Sequence, residues 1–250
     1  MSEKNKTAHR GSRVRLKRLI LFVHGSGKWY NLTIDNFYSE VTEMIKDEKI
    51  YVVDSPMGSG KTTAMIEYMN SHPEKKYLYI APLLTEVERI KESCQDLHFF
   101  TPEKTTVSKT VDLQWLIERN ENIVATHKLF SLINDRTMEL LTTGNTDYVL
   151  ILDETIEVVE PHLISEDDFN MLLTSGNMKI TENGVVYWLN NSYSGRFQAL
   201  KNLAVNQLLV YYQQSILLKL FPIDAVQCFN EIFILTYMFE GSLLKSYFDV

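Results

Sequence analysis

In the segment Ile50 to Tyr68, IYVVDSPMGSGKTTAMIEY, two glycines, a lysine and a threonine follow directly on a short apolar run. The run ends at Val53, Ser55-Pro56-Met57-Gly58-Ser59-Gly60-Lys61-Thr62 reads as a loop, and Thr63 onward has helical character. The general phosphate-loop pattern is G-x-x-x-x-G-K-[ST], and only its first glycine is replaced here, by Ser55. Each part has a chemical task. Gly58 and Gly60 let backbone N–H groups turn inward around phosphate oxygens, in conformations costly for other residues. Lys61 brings a positive charge to the outer phosphates, and the Thr62 hydroxyl is suited to Mg²⁺. A helix starting at this point adds the positive end of its dipole. The expected phosphate cradle is therefore Ser55, Gly58, Ser59, Gly60, Lys61, Thr62 and Thr63.

ATP hydrolysis also needs an acidic group for the metal and a second group to orient the attacking water. The run Tyr148 to Leu152, wholly apolar, stops at Asp153-Glu154. That places two carboxylates at the C-terminal end of a buried strand, the edge where α/β sheets bind ligands. The four letters GSGK also occur earlier, in LILFVHGSGKWYN, from Leu19 to Asn31. There Trp29 follows Lys28, so no hydroxyl is available for a metal, and Tyr30, Asn31 and Leu32 do not begin an obvious helix. This first copy reads as a tight turn, Gly25 to Lys28, between a strand and a helix. One phosphate site is expected.

These residues need strands and helices to position them. Leu19 to Val23, Ile50 to Val53, Tyr77 to Ile80, Ile123 to Thr126 and Tyr148 to Leu152 read as strands. Helices are expected over Asp35 to Asp47, Lys61 to Asn70, Thr85 to Cys94, Asp112 to Asn120 and Lys128 to Leu141. Alternation at this spacing predicts an α/β fold with a mainly parallel sheet flanked by helices. Past Pro161 the pattern loosens. Ser165 to Leu173 suits a short helix, and Met178 to Trp188 a hairpin turning at Glu182-Asn183-Gly184. Leu200 to Leu220 reads as one long amphipathic helix, and Glu231 to Thr236 returns to strand character. The expected organisation is a basic arm at 1–18, an ATP-binding domain at 19–160, a helical and hairpin insertion at 161–230, and a returning strand with the start of a link at 231–250.

The loop, with its small residue and P-x-G-x-G-K-T, resembles motif I of the superfamily-two helicases. LILDET, Leu150 to Thr155, is similar to their motif II, the DExx box. YIAPLLTEVERI, Tyr79 to Ile90, resembles motif Ia, and NIVATHKLF, Asn122 to Phe130, resembles the strand-plus-Thr-His segment that follows it. The motifs keep the family's order from about residue 50 to 160, and phage-type and origin-binding members favour Pro-Met-Gly-Ser-Gly-Lys-Thr.

The resemblance implies a RecA-like P-loop NTPase lobe with ATP and Mg²⁺ as cofactors. In it Lys61 holds the outer phosphates, Thr62 and Asp153 organise Mg²⁺, and Glu154 positions the water. Lys61, Asp153 and Glu154 are then the catalytic set. It further implies that Ala81, Pro82, Thr126 and His127 lie along a nucleic-acid backbone, DNA being favoured over RNA. Thr236, in FILTYMFEG, falls where the coupling motif III lies. The chain has Leu235-Thr236-Tyr237 there instead of the usual Ser-Ala-Thr. Such helicases carry a second RecA-like lobe, for which too few residues follow here, so a lone lobe is expected to turn ATP over slowly. A phage packaging-motor ATPase and a non-hydrolysing nucleic-acid or partner-binding module share parts of this pattern. A small-molecule kinase leaves the APLLTE and ATHKLF segments without a role.

Composition is compatible with this reading. The 250 residues are 45% hydrophobic and 11% aromatic, enough for a full core. The net charge of −7 argues against a generic polyanion binder, although the first eighteen residues carry seven basic side chains against Glu3. That arm suits either nucleic acid or a solvated tail. No uninterrupted apolar stretch of spanning length is evident, and no signal-peptide pattern precedes Leu19. Cys94 and Cys228 form no metal-binding or disulfide pattern. A cytoplasmic protein of a bacterial or phage-infected cell is expected, without a membrane partner.

Overall fold

A computed structural model describes residues 21–25, 28–32, 50–104, 107–144 and 147–248. The expected basic arm and the expected helix Asp35 to Asp47 lie outside them. The main sheet uses β1 (Leu21–Gly25), β2 (Lys28–Leu32), β3 (Ile50–Asp54), β4 (Lys76–Ala81), β5 (Ile123–Thr126), β6 (Tyr148–Asp153) and β12 (Glu231–Thr236). Its order is β2-β1-β3-β12-β6-β4-β5. The five strands from β3 to β5 run parallel. β1 and β2 join the β3 edge antiparallel.

The parallel strands are apolar along their length because both faces are covered. All six residues of β6 are buried. Alternate residues feed two cores. Toward one face, Tyr51, Val53, Tyr79, Ile151 and Phe233 pack with Met65, Tyr68 and Met69 of α1 (Lys61–Ser71) and with Val87 and Ile90 of α2 (Leu84–Ser93). Toward the other, Val52, Leu78, Ile80, Leu150 and Ile234 pack with Leu113 and Leu116 of α3 (Lys109–Glu118) and with Phe130 of α4 (His127–Phe130). The start of β12 is tied to α1 by Glu231, whose carboxylate accepts from Tyr68 Oη and Lys75 Nζ, each at 2.7 Å.

Three sequence expectations are corrected. The first GSGK does not link a strand to a helix. Gly25 pairs with Lys28 across an antiparallel hairpin of β1 and β2. The helix expected over Lys128 to Leu141 is two, α4 and α5 (Asp135–Thr143). Asn134 interrupts it, its side chain accepting from Thr137 N as the cap of α5.

The long helix expected over Leu200 to Leu220 is instead α7 (Gln198–Val205) followed by a hairpin of β10 (Leu209–Tyr212) and β11 (Ile216–Leu220). Gln207, Gln213 and Gln214 adopt positive φ, which ends the helix and turns the hairpin. The apolar stripe expected at helical spacing is accordingly split, leaving Val205, Tyr212 and Ile216 about half exposed while Leu209 is buried.

Between β6 and β12 the chain leaves the main sheet. β7 (Val159–Pro161) pairs with β11, giving a small antiparallel sheet β10-β11-β7. α6 (Glu166–Thr174), the hairpin of β8 (Met178–Ile180) and β9 (Val186–Trp188), and α7 surround a separate core. That core includes Phe169, Leu172, Trp188, Leu200, Leu209 and Leu217. The chain returns through α8 (Asp224–Gln227) to β12, and α9 (Leu243–Phe248) follows it. Among the described residues no helix is long and apolar enough to cross a membrane.

Candidate functional site

β3 and β6 flank β12 and end at the same edge of the sheet, and this order brings the loop and the two acids together. The Ser55 amide donates to Thr236 O at 2.9 Å, and the Glu154 amide donates to Leu235 O at 2.8 Å. Consecutive carbonyls at the end of β12 therefore anchor the glycine loop on one side and the acidic turn on the other. Asp54 strengthens the link, its carboxylate accepting from Met238 N at 2.8 Å and Phe239 N at 2.9 Å. Thr236 itself is buried, and what it gives the loop is its carbonyl.

Within the loop, Gly58 and Gly60 have φ of 71° and 92°. A Cβ added at Gly58 meets open space, so its conformation, not crowding, calls for glycine there. Gly60 leads directly into α1, with Ala64 N donating to Gly60 O. Lys61 is buried at the first position of the helix. Its Nζ curls back over the loop and donates to Ser55 O at 2.6 Å and Pro56 O at 3.2 Å. The Ser59 hydroxyl oxygen is buried and is without a hydrogen-bond partner. Met57 to Thr63, together with Glu154 and Arg89, bound a cavity of about 240 Å³.

Asp153 is 5% exposed. Thr62 Oγ1 lies 3.4 and 3.2 Å from its two carboxylate oxygens, and Tyr79 Oη donates to Oδ2 at 2.6 Å. Burial pushes the Asp153 carboxyl above the usual range, while the hydrogen bonds from Tyr79 and Thr62 pull it back. Burial also raises the Glu154 carboxyl, opposed by nearby Lys61. Glu154 has φ of 68°, a left-handed conformation uncommon outside glycine and asparagine, and it is held by the bond to Leu235 O. Glu154 contributes to the wall of the loop cavity. Among the described residues no three His, Cys, Asp or Glu side chains converge on a metal site.

Two of the four residues expected along a nucleic-acid backbone line a second cavity, of about 540 Å³, which Glu154 also borders. Pro82 and His127 line it, with Lys128 and Lys219 adding positive charge and Glu157 and Glu160 negative. Ala81 is fully buried and pairs with Thr126 between β4 and β5, so its side chain reaches no ligand. His127 Nε2 lies 2.8 Å from Asp153 O, joining this cavity to the acidic turn. Burial holds its imidazole below the ordinary value, with the Asp153 carbonyl opposing.

Sequence reading missed Tyr79 and Arg89. Tyr79 sits in an apolar strand where a tyrosine suggests core, and only the neighbouring strand reveals the acceptor of its hydroxyl. Arg89 lies one turn into α2, and its presence at the cavity follows from helix placement.

A sequence profile of the YonV middle domain matches residues 159–219, the stretch from β7 to β11 that builds the small sheet. Over 216 residues the chain is 41% identical to a SPbeta prophage-derived uncharacterized protein, YonV, of Bacillus subtilis (strain 168). That alignment covers 81% of this chain and 52% of the relative, so the chain spans about half the length of the curated protein it matches. A solved structure, the DUF1998 helicase MrfA, superposes over 85% of this chain and 27% of its own at 16% identity. Its TM-score of 0.35 is too low to bear on fold or chemistry.

Proposed function

We propose that this chain is the ATP-binding lobe of a nucleic-acid-dependent ATPase of the helicase or translocase kind. One observation carries the reading: Thr62, next to the phosphate-loop lysine, meets the buried Asp153 carboxylate from a separate strand. A solvated strand end has no need to bury its acid against that hydroxyl.

The residues present fit MgATP. The unpartnered Ser59 hydroxyl and the open space at Gly58 suit a phosphate cradle. The two backbone carbonyls on Lys61 Nζ are weak partners for a buried ammonium, and phosphate oxygens are stronger ones. One hydroxyl and one carboxylate are the oxygen ligands expected for Mg²⁺ that also binds phosphate, which explains why no three-residue cluster is needed. When bound, the nucleotide and metal supply the transferable phosphoryl group and the charge neutralisation that eases its departure. Lys61 balances charge on the outer phosphates, and Thr62 and Asp153 orient the metal. Glu154 accepts a hydrogen bond from the attacking water and aligns it. Nucleic acid is read along the cavity of Pro82 and His127, through backbone shape and not base sequence. The relative's prophage origin is in keeping with a phage-type enzyme. A second lobe, closing over the nucleotide, completes the machinery.

The test is ATP binding and turnover, with and without single-stranded DNA or RNA, for the unaltered chain, Lys61→Ala and Glu154→Gln. Lys61→Ala is expected to lose binding. Glu154→Gln is expected to bind ATP while turnover falls on the order of 10²-fold or more. Equal turnover in all three refutes hydrolysis at this site. Binding that Lys61→Ala abolishes, with no turnover in the unaltered chain plus a second lobe, points to a non-hydrolysing module.

A further inference from the structure

The loop cavity has a wall that the phosphate-loop chemistry does not account for. α2 follows β4 and lies on the same face of the sheet as α1. β4 is the strand beyond β6, so α2 approaches the cavity from the side that carries Asp153 and Glu154. Arg89, on the second turn of α2, lines the cavity together with Glu154 and the loop residues. Its side chain is 47% exposed, and its guanidinium donates to Glu86 Oε2 at 3.1 Å within the same helix. Glu86 is itself a third exposed. Surface pairs three residues apart on a helix hold weakly, and the fold does not depend on this one. Arg89 is therefore a cation kept at the cavity mouth by a partner it can leave.

The charge around the cavity gives it a task. Asp153 and Glu154 are both acidic, and Glu86 lies close enough to push the Asp153 carboxyl up further. Lys61 is the one basic side chain that the loop itself supplies. A nucleoside triphosphate with one divalent cation still carries surplus negative charge at its terminal phosphate, on the side of the cavity where Glu154 stands. A guanidinium presents a planar fork suited to two phosphate oxygens at once.

We infer that Arg89 is a second cation of this site, exchanging Glu86 for the terminal phosphate and so distinguishing a nucleoside triphosphate from a diphosphate. This rests on the nucleotide reading above and adds to it an arginine supplied by the lobe itself. Arg89 contributes specificity for the triphosphate, while Lys61 grips phosphate in either nucleotide.

The experiment compares the affinities of fluorescent ATP and ADP analogues, with Mg²⁺, for the unaltered chain, Arg89→Ala, Arg89→Lys, Glu86→Gln and Lys61→Ala. Arg89→Ala is expected to weaken ATP by about tenfold, the loss of one charge-assisted contact, and ADP by less than about twofold. Arg89→Lys, which keeps charge without the fork, falls between. Glu86→Gln binds ATP at least as tightly as the unaltered chain, because the arginine is freed. Unchanged circular dichroism and melting of the Arg89 variants exclude a folding defect. If Lys61→Ala loses both nucleotides while Arg89→Ala loses neither, or loses both equally, the inference is overturned and the nucleotide site stands. If the unaltered chain binds neither nucleotide, both readings fail.

Discussion

Replacing Tyr79 by phenylalanine removes one oxygen atom from the interior and asks how the Asp153 carboxylate is held. The lost hydroxyl donates to Asp153 Oδ2 at 2.6 Å, with Tyr79 fully buried and Asp153 nearly so. A hydrogen bond to a buried charged acceptor contributes about 1.5–3 kcal/mol. At roughly 2–4 °C per kcal/mol for a chain of this size, melting should fall by about 3–12 °C. The same strand contains a control. Tyr77, two residues earlier, feeds the same core, but its hydroxyl donates to the neutral His72 carbonyl at 2.9 Å. Tyr77→Phe is expected to cost about 0.5–1.5 kcal/mol. The assay is thermal unfolding by circular dichroism near neutral pH without Mg²⁺, extended to Asp153→Asn and to the Tyr79→Phe, Asp153→Asn double variant. Asparagine keeps an acceptor for Tyr79 but loses the charge, so the cost of Tyr79→Phe should drop into the neutral range in that background. The implied coupling is about 1 kcal/mol. If Tyr79→Phe costs no more than Tyr77→Phe, or if its effect adds independently to Asp153→Asn, the carboxylate is not held as described.

Two further outcomes are expected. His127 and His162 are both lowered by burial from an ordinary value near 6.5. The unfolded chain therefore takes up protons first, and their contribution is complete above the unfolded value and is lost as pH falls through the folded ones. The raised carboxyls of Asp153 and Glu154 act in the opposite sense, so the readout is the difference between variants. In urea unfolding His127→Gln should lose less stability than the unaltered chain as pH falls below the unfolded histidine value, and an unchanged slope in that variant argues against it. Glu231→Ala strips Tyr68 and Lys75 of their shared acceptor at the start of β12. A loss of about 1–3 kcal/mol in denaturant unfolding is expected, and a neutral result shows that the cluster is solvent-compensated.

The residues of the candidate site were legible because they stand in consecutive runs. A strand, two glycines and Lys61-Thr62 specify a loop on their own, and the apolar run Tyr148 to Leu152 ending at an acid specifies a strand end. Their convergence followed from the parallel sheet, whose alternation of strand and helix is also local. The misreadings arose where two periods fit one string. From Leu200 to Leu220 the apolar positions satisfy helical spacing, yet Leu209 and Tyr211 also alternate as in a strand, and Leu217 stands opposite Tyr211 on the same small core. The decision fell to Gln213 and Gln214, which accept positive φ although nothing in their type announces a turn. Asn134 was a cap signal overlooked inside an apolar pattern. Arg89 and Tyr79 could not be found this way, because what they face is set by elements distant in sequence.

The proposed function requires MgATP to sit on the glycine loop between Lys61 and Asp153. A crystal structure with a non-hydrolysable ATP analogue and Mg²⁺ tests it most directly. Phosphate density is expected within the cradle from Gly58 to Thr62, with Lys61 Nζ moved off the Ser55 and Pro56 carbonyls and the metal beside Thr62 and Asp153. An analogue bound elsewhere, with Lys61 still on those two carbonyls, contradicts it.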